Sequence, residues 1–279
     1  MIHDDIVKRG LLEKDVNVGS ALVHMYAKCG ELVKAQEVFD KLPIRNSSSW
    51  NALIVGYAQH GYSEEALNVF QHMQQHDGLS PNAITFVCIL KACGHLRAME
   101  KGQDIHVMLM KDGLLKNNIL VGNALVDMYV KCGFLNIAEK VFDELYNRTV
   151  VCFNVLISGY AQNCQGEKAL KYFERMKEEG LSPNAITYIC TLKACSCTRS
   201  IEKGQDIHVE IVWKGLEMEP SVGNILVDMY GKSGLLFEAQ EIFNKLSIRN
   251  VVSWTALLVG YFEHGCSEEA LYCFEEMQH

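Results

Sequence analysis

Apolar residues recur along the chain at i, i+3, i+4 and i+7, the stripe that one face of an α-helix presents. The motif A-x-x-[apolar]-F-x-x-[LM] appears six times: Ala35/Val38/Phe39/Leu42, Ala66/Val69/Phe70/Met73, Ala138/Val141/Phe142/Leu145, Ala169/Tyr172/Phe173/Met176, Ala239/Ile242/Phe243/Leu246 and Ala270/Cys273/Phe274/Met277. Upstream of each stands a second apolar segment, such as NALIVGYAQHG or NALVDMYVKCG. Most of these segments end in glycine (Gly30, Gly61, Gly133, Gly234, Gly265), the residue that closes a helix in the left-handed conformation. Ser63 and Ser267, each followed by Glu-Glu-Ala-Leu, read as N-caps with acids in the first turn. Each unit therefore predicts a helical hairpin. In a third unit type glycine replaces the core alanine and histidine the core phenylalanine: Gly102/Ile105/His106/Leu109 and Gly204/Ile207/His208/Ile211, with Ile2/His3/Ile6 in the same frame. Glycine there lets two helices approach closely, and the imidazole fills part of the ring slot.

These units repeat. PNAIT at Pro81 and Pro183, and KGQDIHV at Lys101 and Lys203, each recur after 102 residues; LVDMY at Leu125 and Leu226 recurs after 101, and KCG at Lys28 and Lys131 after 103. The hairpins divide this period into units 16–46, 47–82, 83–118, 119–149, 150–184, 185–219, 220–250 and a shorter 251–279, preceded by a second helix and tail over 1–15. No hairpin of this size buries its own apolar faces, so neighbours must stack into a superhelix. The chain reads as an excerpt of a longer array.

Composition narrows the class. Forty-nine per cent apolar and 22% charged residues suit a folded protein, and four prolines in 279 residues favour helix. No run of about 18 apolar residues predicts a membrane span. The N-terminus MIHDDIVKRG carries acids and shows neither a secretory h-region nor a transit peptide. Eleven cysteines without a C-x-x-C, many at matching repeat positions, read as reduced packing residues. Asn46-Ser47-Ser48 and Asn147-Arg148-Thr149 spell the glycosylation pattern by chance. The net charge of −8 opposes a uniformly basic nucleic-acid binder.

Hairpins of 31, 35 and 35 residues in rotation, with SSWNALIVGYAQHGYSEEALNVFQHM, NALVDMYVKCG and TFVCILKACG, resemble the PLS subclass of the pentatricopeptide repeat family over essentially the whole chain. Units 16–46, 119–149 and 220–250 look like S repeats, those from Ser47, Val150 and Val251 like P repeats, and those from Ala83 and Ala185 like L repeats. The resemblance implies an all-α, right-handed superhelical solenoid of helix-turn-helix repeats. It also implies sequence-selective binding of a single-stranded organellar RNA, in a mitochondrion or chloroplast, in RNA processing or C-to-U editing, with any editing deaminase supplied in trans. No small-molecule substrate, membrane or cofactor is expected. The alternative is a protein-binding scaffold of tetratricopeptide type. Trp50, Leu53, Ala66, Phe70 and Pro81 resemble that motif, but its repeats are uniformly 34 residues and the glycine it expects is Ile54 here.

In the resembled family the fifth and last residues of each unit read one base. Here the fifth residues of the P and S units are Ser20, Asn51, Asn123, Asn154, Asn224 and Thr255, and the last are Asn46, Asn82, Thr149, Asn184 and Asn250. All are uncharged hydrogen-bonding residues, and the asparagines also suit helix starts. The L units carry Val87 and Ile189 at the fifth position and read as spacers. The family pairs imply the site A-Y-N-N-Y-N-Y-R, N-terminal units toward the RNA 5′ end. First helices look nearly free of acids, which would put the negative charge on the outside. Lys28, Lys131 and Lys232, at the thirteenth residue of the S units, are phosphate contacts by resemblance, or caps for C-terminal carbonyls. His208-Val209-Glu210 spells H-x-E without the P-C-x-x-C that a zinc deaminase needs. Neither a metal site nor a catalytic constellation is expected, and the chain reads as a non-enzyme.

Overall fold

A computed structural model describes residue 6, residues 10–76 and residues 79–278. Eight consecutive pairs of helices account for most of them. The pairs are Val16–Lys28 with Leu32–Lys41, Ser47–Gln59 with Ser63–Gln74, Ala83–Leu96 with Met99–Lys111, and Ile119–Lys131 with Leu135–Glu144. They continue with Val150–Gln162 and Gly166–Glu178, Ala185–Thr198 and Ile201–Trp213, Pro220–Lys232 and Leu236–Lys245, and Val251–Glu263 and Ser267–Met277. Single-turn helices, Leu11–Lys14 and Leu114–Asn117, precede two of the first helices. No strand occurs among the described residues. Of the expected leading helix, Ile2 and His3 lie outside the described residues. The chain divides into two compact halves, Met1–Asn147 and Arg148–His279, each holding four pairs.

Within each half the first helices pack side by side in an unbroken row. Each second helix packs on its own first helix and on the next, while second helices do not pack against one another to the same extent. The apolar stripe causes this. Ala35, Val38 and Phe39 are buried, as are Ala169, Tyr172 and Phe173, and Ala239, Ile242 and Phe243. The phenylalanine is covered by an aromatic ring at the start of the following first helix: Phe39 by Trp50 at 4.7 Å, Phe70 by Phe86 at 6.2 Å, Phe173 by Tyr188 at 6.2 Å and Phe243 by Trp254 at 4.6 Å between centroids, all edge to face. Such a pair adds about 0.5–1.5 kcal/mol beyond the area it buries.

The helix ends follow from local chemistry. Gly30, Gly61, Gly133, Gly234 and Gly265 all take positive φ, between 76° and 86°. Arg45 and Arg249 close the second helices of two S-like hairpins, donating to the Phe39 and Asp40 carbonyls and to the Phe243 and Asn244 carbonyls; each guanidinium also lies over its phenylalanine ring. Ser63 and Ser267 differ from expectation: each is the first helical residue, and the caps are Tyr62 and Cys266 without a side-chain bond. Ser63 is buried, so a small side chain is needed there; at the matching Gly166 an added Cβ would lie 2.7 Å from the Ala194 carbonyl oxygen.

The glycines and histidines of the third unit type are also explained. A Cβ on Gly102 or Gly204 would lie 2.6 or 2.8 Å from the sulfur of Met128 or Met229. His106 is joined through Nδ1 to the Tyr129 hydroxyl at 2.8 Å, and His208 to that of Tyr230 at 2.9 Å. Burial holds both imidazoles below their ordinary value of 6.5, with Glu217 opposing the shift at His208.

Two outcomes are expected. Gly56→Ala gains helix propensity of about 1 kcal/mol, but its Cβ would sit 2.6 Å from the Ala27 Cβ and 3.2 Å from its Cα. Neither can swing away, so overpacking of about 1–3 kcal/mol wins. Gly102→Ala meets only a methionine, which can change rotamer. Denaturant titration should therefore find Gly56→Ala the more destabilised of the two; the reverse order would contradict this packing. Second, the unfolded chain protonates these histidines near pH 6.5 while the folded protein keeps them neutral to lower pH. Stability they contribute above pH 6.5 is lost as pH falls through that value and on through the folded pKa. Replacing both with Phe should flatten the dependence of Tm on pH between about 7 and 5; a slope as steep as that of the parent would show that other groups set it.

Candidate functional site

Helix capping brings the expected reading residues together. Asn46, Asn82, Asn184 and Asn250 each stand one residue before a first helix, in extended backbone, and cap it. Their Oδ1 atoms accept the backbone N–H of Ser49 at 2.9 Å, Thr85 at 2.8 Å, Thr187 at 3.0 Å and Ser253 at 3.1 Å. This satisfies orphan donors of the first turn, an interaction typically worth about 1 kcal/mol. It also fixes the amide, because the oxygen must face the helix and the Nδ2 donor must face away. Capping therefore occupies the oxygen end of each amide and points the nitrogen end away from the helix.

The fifth residue of the preceding first helix meets this cap. The Ser20 hydroxyl can donate to Asn46 Oδ1 at 2.9 Å or to the Val16 carbonyl at 2.9 Å. Asn154 Nδ2 donates to Asn184 Oδ1 at 3.2 Å, and Asn224 Nδ2 to Asn250 Oδ1 at 3.3 Å. Asn51 is linked to Asn82 through the Thr85 hydroxyl, which lies 2.8 Å from Asn51 Oδ1 and 3.0 Å from Asn82 Oδ1. Ser20, Asn51, Asn123, Asn154 and Asn224 are all buried to nine-tenths or more, so their side chains are held rather than free. Thr149 caps the Val150–Gln162 helix through the Cys152 N–H at 3.4 Å. Thr255 is exposed and turns its hydroxyl back to the Val251 carbonyl. Val87 and Ile189 are half-buried.

Three sets of residues at this face escaped the sequence reading. Thr85 and Thr187 are fully buried and bridge the two asparagines, Thr187 lying 2.7 Å from Asn154 Oδ1 and 3.0 Å from Asn184 Oδ1. They sit inside the PNAIT repeat, whose threonine at the third helical position was the available signal. At the Asn224 step Ser253 takes that position but bonds its own cap residue, and Asn224 Oδ1 is left buried without a partner. The second residues of five units, Ile84, Leu120, Val151, Ile186 and Val252, are apolar yet 57–66% exposed. Lastly, two of the few acids in first helices hold expected lysines: Lys131 pairs with Asp127 at 2.7 Å and Lys232 with Asp228 at 2.8 Å. The expectation that these lysines cap carbonyls is corrected, since a carboxylate one turn back is the stronger partner for an ammonium. Lys28 has His24 at the matching place and is exposed.

In the second half Ile189, Asn224, Asp228, Lys232, Asn250 and Thr255 line one open cleft of about 730 Å³ between neighbouring first helices. This falls within the range of about 300–1,000 Å³ typical of small-ligand sites. No cluster of three or more His, Cys, Asp or Glu that could hold a metal occurs among the described residues. His208 and Glu210 face different partners: His208 the Tyr230 hydroxyl, Glu210 the Tyr188 hydroxyl at 2.9 Å. Burial pushes the thiols of Cys93, Cys152 and Cys195 up to about 12, so at neutral pH they are protonated packing groups.

The geometry can be set beside known proteins. The model of the PPR repeat family matches residues 45–95 and 148–197, and that of the PPR repeat matches 20–46, 123–149, 224–251 and 252–279. A mitochondrial pentatricopeptide repeat-containing protein of Arabidopsis thaliana is 38% identical over 278 residues, 100% of this chain and 43% of the relative. A chloroplastic one from the same plant is 36% identical over 277 residues, 99% of this chain and 44% of the relative. The chain thus spans less than half the length of these relatives. Among solved structures, the pentatricopeptide repeat protein PPR10 in complex with an 18-nt psaJ RNA element superposes with a TM-score of 0.82 at 22% identity, over 99% of this chain and 41% of that one. The matched models cover most of the sequence, and the chain belongs to the pentatricopeptide repeat family.

Proposed function

We propose that the row of first helices binds a single-stranded RNA, one base to each hairpin, and selects among bases through the paired fifth and last residues. The observation that carries this reading is the fixed amide: capping consumes Oδ1 of Asn46, Asn82, Asn184 and Asn250 and leaves Nδ2 as a donor. Where the fifth residue is also asparagine, its own oxygen is bonded to threonine or buried, so the site offers donors. Pyrimidines suit it, because O2 with N3 of cytosine, or O2 with O4 of uracil, are acceptors. At Ser20 the single hydroxyl hydrogen is used internally. An oxygen lone pair then stands beside the Asn46 donor, a pattern complementary to adenine N6 and N1. The exposed aliphatic side chains at the second position supply surface for the flat faces of the bases. The RNA bound by PPR10 supports the same class of partner here.

On this reading the hairpins are S, P and L repeats of the PLS subclass with the bounds given above. The site is A-Y-N-N-Y-N-Y-R, the work is organellar RNA processing or C-to-U editing, and a deaminase acts in trans. The names of the mitochondrial and chloroplastic relatives support the compartment. No catalytic step is assigned to this chain.

A competition between this octamer and one with every Y changed to purine tests the reading. With three Y positions changed, at about 1–3 kcal/mol per mismatch, the altered RNA should bind roughly a hundredfold or more weakly. Equal affinities at one stated salt concentration would overturn the code and favour a protein-binding scaffold. Thr187→Val keeps the side-chain shape but releases the Asn154 amide, so discrimination at the fifth base alone should weaken. Charge gives a separate measurement. Lys28→Gln should lower the salt slope of binding by about 0.7, whereas Asp127→Asn with Asp228→Asn frees two lysines and should raise it; a slope unmoved by either change would remove the lysines from the interface.

A further inference from the structure

The internal repeat acts as its own control. In the first P-to-L step Gly61 follows a first helix and His95 lies in the last turn of the next first helix; in the second step the matching residues are Cys164 and Cys197. Both positions change together. Cys164 keeps the left-handed conformation of the glycine it replaces, with φ 54°, a region that residues with a Cβ disfavour. The Cys197 Sγ lies 3.7 Å from the Ala161 carbonyl oxygen, and the Cys164 N–H donates to that same oxygen at 3.3 Å. The two cysteines therefore meet at one carbonyl oxygen, at the adjoining ends of neighbouring first helices. Both are free and exposed, unlike the buried Cys93, Cys152 and Cys195.

We propose that Cys164 and Cys197 are a redox-active dithiol that closes to an intrachain disulfide with a small disulfide oxidant such as oxidised glutathione. One thiolate attacks a sulfur of the oxidant, forming a mixed disulfide and releasing one glutathione thiol. The second attacks the protein sulfur of that mixed disulfide and releases the other. Two cysteine thiols are oxidised by two electrons, one glutathione disulfide is reduced to two thiols, and the two protons leave with them. The bond joins the C-terminal ends of the Val150–Gln162 and Ala185–Thr198 helices, fixing the spacing of two neighbouring first helices inside one compact half. It also closes a loop of roughly thirty residues, which restricts the unfolded chain. The proposal does not depend on what the first-helix row binds.

The test incubates the native protein with oxidised glutathione, blocks remaining thiols with N-ethylmaleimide, and maps the digest by mass spectrometry. A linked peptide pair joining Cys164 to Cys197, lighter by two hydrogens than the dithiol pair, is expected, with a higher Tm for the oxidised than for the reduced protein. Cys164→Gly restores the residue found at the matching corners, so it should fold like the parent, give only a glutathione adduct at Cys197, and show no rise in Tm. Separate adducts at both cysteines of the parent without a link, or a link formed only in denaturant, would overturn the proposal.

Discussion

The structure depends on one constraint: the apolar stripe of each second helix cannot be buried within its own hairpin. The ring at its centre is covered by the next first helix, as Phe39 is by Trp50 and Phe243 by Trp254. Fully burying a side chain of this kind contributes about 1.5–3 kcal/mol, so each hairpin is stable only as part of a row. Within each half, stacking in this manner aligns the first helices side by side.

That alignment produces the site. Each first helix needs a cap, and the residue supplying it is the last residue of the preceding hairpin. Because the row is regular, the cap falls beside the fifth residue of the helix before it, and the amides meet, as Asn154 and Asn184 do at 3.2 Å. A local requirement of helix chemistry thereby places a polar pair at a regular spacing along one face. The electrostatics follow the same geometry: the lysines ending two S-like first helices are paired with Asp127 and Asp228, while Lys28, Lys91 and Lys193 are exposed on first helices that carry no acid.

Much of this was legible in the sequence because helical periodicity is a local property. The stripes, the glycine corners and the close approach at Gly102 and Gly204 follow from spacing alone. What the sequence hid depends on neighbours one hairpin away. Thr85 and Thr187 looked like ordinary members of PNAIT, and only the stacked helices bring their hydroxyls to Asn51 and Asn154. Asp127 sits inside an otherwise apolar segment, and its role appears only once the helix sets it one turn from Lys131. Ser63 and Ser267 fit the cap pattern by composition, but the chain turns one residue earlier, and at Ser63 the smallness of the side chain mattered more than its hydroxyl.

The central claim is that a cap-fixed donor, together with the fifth residue, sets the base at each hairpin that pairs a fifth serine or asparagine with a last asparagine. Its most direct test is Asn154→Thr, which places a hydroxyl acceptor beside the Asn184 donor and imitates the Ser20 and Asn46 pair. Sequencing the RNAs retained from a random octamer pool by the parent and by this variant gives the preference at every position. The account predicts a shift from pyrimidine to adenine at the fifth base with the other positions unchanged; no shift there, or an equal change at every position, would contradict it.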